Sequence, residues 1–496
     1  MASASGASRS PAAGATIGKR IFQNTIAQLG GRGVSLVLSA ATSILLARYL
    51  GRERMGEYGA IYAYLALYTW LATFGLEQIL TREASQRRAQ AGSIILTGTA
   101  VALCFSVAGI ALSFLLAPSF GYGGGLRILV LFAAVDSLLL PAASLVGIVF
   151  QVDMRQWYAV GLGLLRQALW LLAVALLAFG KAGFFWVILV RTLVGLVTAA
   201  ITLPICWRRG LLQGPWVFSW VEARNLLHYG FPIAFGAVAV GLFQRIDQVM
   251  LHKMSGDRVL GPYVVAVMLT EQISVLPVAL LSSLFPVLSR AANREDLFLH
   301  YVGVSYRFLM ALAFFFCAVV TPVTAPLVEL FYGKEFLSSA ALINVLIWSE
   351  APLFLAVVLT NALVAKNLQR YLPITPIIAA AMNISLNLLF IPKWGALGAS
   401  WATVVSYSSA LVFLLFKPTR FITWQGLSIA APPFALALAI SFALQHWAVH
   451  FVLKFLVAVV LYAGGAWLTG TVRGTDLQRF KEITRGSLDR SRPAPN

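Results

Sequence analysis

The chain has 496 residues, of which 59% are hydrophobic and only 11% charged. Soluble domains carry roughly 45–50% apolar and about 25% charged residues, so this apolar excess exceeds what a core can absorb and the solvent must be lipid. The formal net charge of +19 would suggest a nucleic-acid partner in a soluble protein. Here Lys and Arg stand between apolar runs and form no aromatic-interleaved basic surface, so that reading is excluded.

The first twenty residues, MASASGASRSPAAGATIGKR, are small and polar. The apolar run that follows is longer than the roughly 7–15 residues of a signal-peptide h-region. Residues 1–20 are therefore expected to be a disordered cytoplasmic tail before a retained first helix. About fourteen apolar stretches, each near the length of about 20 residues that spans a bilayer as helix, then follow. They cover 24–50, 57–80, 92–117, 127–150, 158–180, 184–207, 228–253, 261–287, 301–325, 339–365, 372–391, 396–416, 426–445 and 451–472. The expected fold is all-α: an N-terminal six-helix half at 21–207, a connector at 208–227, a C-terminal six-helix half at 228–416 and two extra helices at 417–472. The polar tail 473–496 is expected to be a solvated cytoplasmic anchor.

Basic residues in short loops mark the cytoplasmic side. With the N-terminus inside, the inner segments hold Lys19, Arg20, Arg82, Arg87, Arg88, Arg155, Arg208, Arg209, Arg290, Arg294 and Lys366, among others. The outer loops hold far fewer, and both termini come out cytoplasmic. The outer loops are also too short for an outer domain.

One hairpin is written twice. LLARYLGRERMGEY at 45–58 and MLHKMSGDRVLGPY at 250–263 share G-x-x-x-x-G-x-Y, with Arg48 and Lys253 three places before the first glycine. Six helices separate the copies. An even number preserves membrane orientation, so the two six-helix bundles form a parallel repeat. A weaker echo links Lys181-Ala-Gly183 and Trp186 to Lys393, Gly398 and Trp401. Between the halves, WVFSWVEARNLLHYGF at 216–231 has the composition of an interfacial amphipathic helix. Trp216, Trp220, Leu227 and Tyr229 are expected in the headgroup layer, with Glu222 and Arg224 facing water.

Taken in order, several stretches resemble one superfamily. They are Asn24-Thr-Ile-Ala-Gln-Leu with LARYLGRERMGEY, YGFPIAFGAVAVGLFQRIDQVML, SGDRVLGPYVVA, LPVALLSSLFPVLSR, LFYGKEFLSSA and GALGASWATVVSY. Over about residues 17–470 the chain resembles the multidrug, oligosaccharidyl-lipid and polysaccharide exporters, and within them the polysaccharide transporter branch of O-antigen-type flippases. The resemblance implies a V-shaped bundle with a central cavity. It also implies alternating-access flipping of undecaprenyl-pyrophosphate-linked oligosaccharide in a bacterial cytoplasmic (inner) membrane. No cofactor is implied; drive by H+ or Na+ is left open, as is docking of a polysaccharide polymerase or ligase.

Such a substrate has an anionic pyrophosphate head, and the planar Arg fork suits phosphate. Ionisable groups inside spans cost about 2.5–3.5 kcal/mol each on insertion scales, so each should meet a partner or water. The candidates for substrate binding are Arg32, Arg166, Arg191, Arg245 and Arg307. Those for coupling or ion pairing are Asp136, Asp247, Glu271 and Glu350. Arg32 lies among glycines in GGRGVS, with room for a bulky head. Arg245 and Asp247, at i,i+2, cannot face each other on one helix, so at least one needs a partner elsewhere, with Glu271 a candidate for Arg245. Arg166 and Arg191 are candidates to pair with Asp136. Arg307 and Glu350 are expected near the cytoplasmic edges of helices 9 and 10. Pro232, Pro277, Pro286 and Pro352 are candidate hinges, and Asn361, Asn383 and Asn387 are candidates for sugar binding but better suit interhelical hydrogen bonds.

No phosphate-binding G-x-x-x-x-G-K-[ST], no H-E-x-x-H and no G-x-S-x-G occurs. Cys104, Cys206 and Cys317 have neither metal-site nor disulfide spacing. No catalytic residues, metal site or nucleic-acid partner is expected. The alternatives are a cation-coupled multidrug exporter, whose site should be acidic, and a lipid II flippase, which differs in the sugar head. A membrane-embedded synthase is disfavoured because neither catalytic carboxylates nor a long outer loop is evident.

Overall fold

A computed structural model describes residues 11–208, 216–416, 421 and 430–471. The regular elements among them are all helical. The first are α1 (Pro11–Ala66), α2 (Thr69–Thr73), α3 (Leu76–Gln86), α4 (Ala91–Leu116), α5 (Gly125–Ala134), α6 (Leu140–Ser144), α7 (Val149–Val152), α8 (Gln156–Phe179) and α9 (Phe184–Arg208). Next come α10 (Trp220–Ser255), α11 (Asp257–Ile273), α12 (Val275–Ala291), α13 (Glu295–Val320), α14 (Thr324–Tyr332), α15 (Ser338–Leu346), α16 (Glu350–Ala365) and α17 (Ile374–Leu414). The last are α18 (Ala431–Gln445) and α19 (Phe451–Leu468).

Ten helical stretches among the described residues are long and apolar enough to cross a membrane, or eleven if the bent pair 220–231 and 236–255 is one span. The sequence led us to expect about fourteen, and the difference has a local cause. α1 and α17 each merge two helices, across Gly51 and Gly395. The stretch 57–80 is divided among the end of α1, α2 and α3, and α18 has only 15 residues. Residues 11–20, expected in the tail, are helical and open α1. The rest of that tail, 209–215 of the connector and the tail 473–496 lie outside the described residues.

Several expected spans are interrupted, and proline explains where. Proline lacks an N–H and its ring clashes with the carbonyl four residues back. For Pro277 that residue is Ile273, where α11 ends. For Pro352 it is Trp348, inside a 3-10 turn at 347–349. For Pro141 it is Ser137, inside a π-helical turn at 135–139. Pro286 differs, because α12 continues through it. Pro232 directly follows 220–231, where α10 bends by 55° before 236–255.

The chain divides into two compact units. Unit 1 is Met1–Tyr49 with Ile61–Gly241, and unit 2 is Leu50–Ala60 with Leu242–Asn496. The division falls inside α10, and the first copy of the hairpin belongs to unit 2. The core of unit 1 gathers Leu76, Leu80, Ile94, Ile95 and Phe150, with Ala223 and Leu226 of α10 packed on it. The core of unit 2 joins Leu309 and Met310 of α13 to Phe354 and Val358 of α16. Ile440 of α18 and Tyr462 of α19 join the same core, so the two extra helices are built into it.

The repeated motif has a structural reason. Gly51 (φ 68°, ψ 179°) and Gly256 (φ 79°, ψ 170°) take the same conformation, which L side chains resist. The second glycines pack reciprocally. A Cβ on Gly56 would lie 2.0 Å from the Asp257 carbonyl oxygen, and one on Gly261 would lie 1.9 Å from that of Arg52. Arg52 and Asp257 are equivalent positions, so each copy receives the other as a two-fold relation requires. The Arg52 Nε also donates to the Arg258 carbonyl at 2.6 Å. The weaker echo is built differently: the first turn bends at Lys181 (φ 48°) and the second at Gly395 (φ 54°).

Candidate functional site

Seven of the nine ionisable residues singled out within the spans gather into one cluster in each unit. In unit 1 the centre is Asp136, 3% exposed, in the π-helical turn that Pro141 disrupts. Arg166 of α8 donates from Nη2 to its Oδ1 at 2.6 Å, and Arg191 of α9 from Nε to its Oδ2 at 2.9 Å. One carboxylate is thus shared by two guanidinium groups, the pairing the sequence suggested. Arg191 is held further by the rings of Tyr62, 3.9 Å from its centroid, and Trp170, 5.8 Å away, where cation–π attraction adds to the ion pair. Gly195 lets α9 approach: its Cβ would lie 2.9 Å from the Asp136 carboxylate and 2.3 Å from Leu140. The side chains of Arg166 and Arg191 remain 43% and 30% exposed. The carboxylate is spent, while the two cations keep accessible faces.

Arg32 is exposed on α1 and forms no ion pair among the described residues. Of its neighbouring glycines, Gly30 and Gly33 border open space, whereas a Cβ on Gly31 would lie 2.3 Å from Val160 of α8. Two glycines leave room, and the third serves helix packing. Gln167 of α8 donates to Ser35 of α1 at 2.7 Å, fixing α1 beside α8.

Unit 2 reverses the balance. Arg245 of α10 grips Glu271 of α11 with both Nη atoms, at 3.0 and 3.1 Å. Asp247, two residues on and 6% exposed, instead accepts from the Tyr263 hydroxyl at 2.5 Å and from the Gln248 amide at 2.7 Å. Both members of the i,i+2 pair therefore find partners on or beyond the hairpin. Glu350 is 3% exposed and accepts from Ser274 at 2.7 Å, with no ion pair among the described residues. It lies twelve residues after Ser338 and fifteen before Ala365 in its span, so it is central rather than near an edge. Two proline-induced breaks meet here, because Ser274 joins α11 to α12 and Glu350 opens α16 after its 3-10 turn. Tyr407 of α17 lies within electrostatic reach of Glu350, Asp247, Glu271 and Arg245. Arg307 is half-buried on α13.

The asparagines divide by role. Asn361 bonds back to the Val357 carbonyl of its own helix at 2.8 Å. Asn387 donates to Asn383 at 2.7 Å, and Asn383 reaches Thr403, beyond the Gly395 kink, at 3.5 Å. At the connector, Glu222 does not face water as expected. It binds both Nη atoms of Arg87 at 2.6 and 3.0 Å, and Arg87 also holds Glu83 at 2.9 Å. Burial works against the Glu83 charge, but hydrogen bonds from Arg82 and Arg87 outweigh it and lower the carboxyl below its ordinary range.

Sequence reading missed Tyr263 as the partner of Asp247. The signal was present: Asp247 and Tyr263 lie at similar distances on either side of Gly256, as residues facing across a helical hairpin do. Ser274 and Tyr407 carried no comparable signal.

Residues 18–292, more than half the chain, match the family described as polysaccharide biosynthesis protein, and the chain belongs to it. The fold resembles those of several solved transporters. It is similar to the lipid II flippase MurJ in an inward closed conformation (13% identity, TM-score 0.71, covering 94% of this chain and 100% of that one). It is also similar to an inward-facing multidrug resistance MATE family transporter of the MOP superfamily (13%, 0.60, 84% and 96%). A MOP superfamily transporter from Pyrococcus furiosus is a further match (13%, 0.51, 86% and 97%). An uncharacterized membrane protein of Methanocaldococcus jannaschii is 25% identical over 222 residues, 43% of this chain and 42% of that protein. The chain thus spans less than half the length of that curated relative.

Proposed function

We propose that this protein is a flippase that moves undecaprenyl-pyrophosphate-linked oligosaccharide across the bacterial cytoplasmic membrane by alternating access, both termini being cytoplasmic. It serves cell-surface polysaccharide synthesis as a transporter, without catalysing a bond-breaking step. The observation that carries this reading is the shared carboxylate of unit 1. Asp136 balances only one of the two arginines that meet it, which leaves a positive surplus suited to an anionic head. Arg32 adds an exposed cation on the same unit. Membership of a polysaccharide biosynthesis family supports a glycan cargo. The prenyl tail needs no site of its own, since it can stay in lipid while the head crosses.

The acidic surplus of unit 2 supports a second role, coupling to H+ or Na+. Of the three carboxylates there, Glu271 is paired with the Arg245 guanidinium, whereas Asp247 and Glu350 depend on neutral hydroxyl partners. A buried carboxylate without a cation is costly to keep charged, so a proton or cation that comes and goes can drive the cycle.

The test uses purified protein in liposomes carrying fluorescent undecaprenyl-pyrophosphate oligosaccharide, with a membrane-impermeant quencher outside. The expected outcome is protein-dependent leaflet exchange, abolished in Arg32→Ala and Arg245→Ala and changed by an imposed pH or Na+ gradient. Absence of exchange, together with gradient-driven uptake of cationic dyes, would reject the reading in favour of a drug exporter.

A further inference from the structure

A cavity of about 350 Å³ lies wholly within unit 1, inside the size range of small-molecule sites. One face of α8 and one of α9 wall it. Ala159, Gly163 and Arg166 come from the first; Gly195, Thr198 and Thr202 come from the second. On each helix the spacing is i, i+3 or i+4, i+7, so both stripes face inward. From Gly195 to Thr202 the wall extends about 10 Å along the helix. Glu77 and Gln151, paired at 3.5 Å, contribute polar groups from α3 and α7. Where Arg166 meets the cavity, Gly195 stands close to it and to the Asp136 carboxylate behind.

The chemistry of this lining is specific. Small residues on these two faces leave room for a pyranose ring, whose apolar C–H face can rest on Leu145, Ile148 and Leu162. The Thr198 hydroxyl satisfies its donor on its own helix, which leaves oxygen lone pairs to accept from ligand hydroxyls. Among the described lining residues Arg166 is the one cation and Glu77 the one carboxylate. A pyrophosphate, with more than one negative charge, would meet a single guanidinium with Asp136 already bound to it at 2.6 Å. A single carboxylate matches the free edge of that guanidinium in charge and shape.

We propose that this cavity is a glycan subsite that selects a sugar ring bearing one carboxylate, a uronic-acid type of residue. Arg166 binds the carboxylate, and Thr198, Thr202 and Gln151 meet the ring hydroxyls. The choice of a sugar as ligand rests on the transport reading above. The selectivity rests on the lining itself, and pyrophosphate recognition falls to Arg32 and Arg191.

Free sugars test this without requiring transport. Binding of glucuronate, glucose and glucose 1-phosphate to the full chain in lipid nanodiscs would be measured by saturation-transfer NMR and competition. Glucuronate is expected to bind at least about tenfold more tightly than glucose, the effect of one charge-assisted hydrogen-bond pair. Arg166→Gln should remove that margin. Because Arg166→Gln also disturbs the Asp136 pair, Gly163→Leu is the second variant. Its Cβ position is open, and the larger side chain fills the cavity while leaving both Arg166 and Asp136 in place, so glucuronate binding should be lost while the unfolding midpoint is kept. Equal affinity for glucose, preference for glucose 1-phosphate, or undiminished binding in a folded Gly163→Leu protein would each overturn the subsite. Leaflet exchange, measured on the same preparations, separates the two ideas. Exchange without glucuronate selectivity rejects the subsite and leaves the flippase standing; selectivity without exchange supports the subsite and rejects the flippase.

Discussion

The two charge clusters are built from the same residue types and reach opposite balances. In unit 1 two arginines from α8 and α9 converge on one carboxylate. In unit 2 one arginine serves a neighbourhood with three carboxylates, two of which are buried and lean on Tyr263 and Ser274. Solvation gives the difference its meaning. An arginine cannot lose its charge, so surplus arginine attracts an anion. A surplus carboxylate can take a proton or a cation. One unit is therefore suited to the head of the cargo and the other to what drives it.

The largest expected effect breaks the first cluster at its centre. Asp136→Ala leaves two guanidinium groups without their counterion, and removing one partner of a buried pair costs about 3–5 kcal/mol. The partial exposure of both arginines places this variant at the low end. The check is thermal unfolding in nanodiscs followed by tryptophan fluorescence. A loss no larger than that of Asp247→Ala would erase the contrast between the clusters.

A smaller effect is expected at the repeated hairpin. Gly261→Ala places a methyl 1.9 Å from a backbone oxygen that cannot yield as a side-chain tip can. Overpacking of this kind costs about 1–3 kcal/mol. By the same geometry Gly56→Ala should cost a similar amount. A large difference between the two would show that the reciprocal packing is not energetically two-fold, and unfolding of the single variants measures it.

Glu350→Gln sharpens the comparison from the other side. It removes a buried charge while leaving an oxygen for Ser274, so stability should hold within about 1 kcal/mol or rise. Leaflet exchange should lose its response to a pH gradient. Full gradient dependence in this variant would remove Glu350 from the coupling role.

The smallest effect lies outside both clusters. The Glu83 carboxyl is lowered in the folded protein, so its contribution is complete above the ordinary carboxylate range and is lost as pH falls through the lowered value. Acidification should therefore loosen the contact of α3 with the start of α10, seen as faster amide exchange near Glu83 and Glu222. Exchange there that is unchanged by acid would mean that the Arg87 network does not hold α10.

Much of this was legible in sequence because lipid imposes a simple rule. A span must be helical and apolar, so each polar interruption reports either a span end or a buried partnership. That rule was enough to find the helical class, the repeated hairpin, and the pairing of Arg166 and Arg191 with Asp136. It also singled out Glu271 for Arg245, because neighbours at i,i+2 diverge on a helix. Where helices break was less legible. Pro277 and Pro286 look alike in sequence, yet α11 ends four residues before the first while α12 runs through the second.

Composition and periodicity thus determined by themselves that this chain is a multi-helix membrane protein with ionisable groups inside its spans. The hydropathy of a segment depends only on that segment. Tertiary structure alone decided that Asp247 answers to a tyrosine and Glu350 to a serine. It also decided that Glu222 turns to Arg87, and that Gly56 and Gly261 each receive the backbone of the other copy. These are contacts between segments distant in sequence, fixed by the paths of several packed helices at once, and no single stretch of sequence records them.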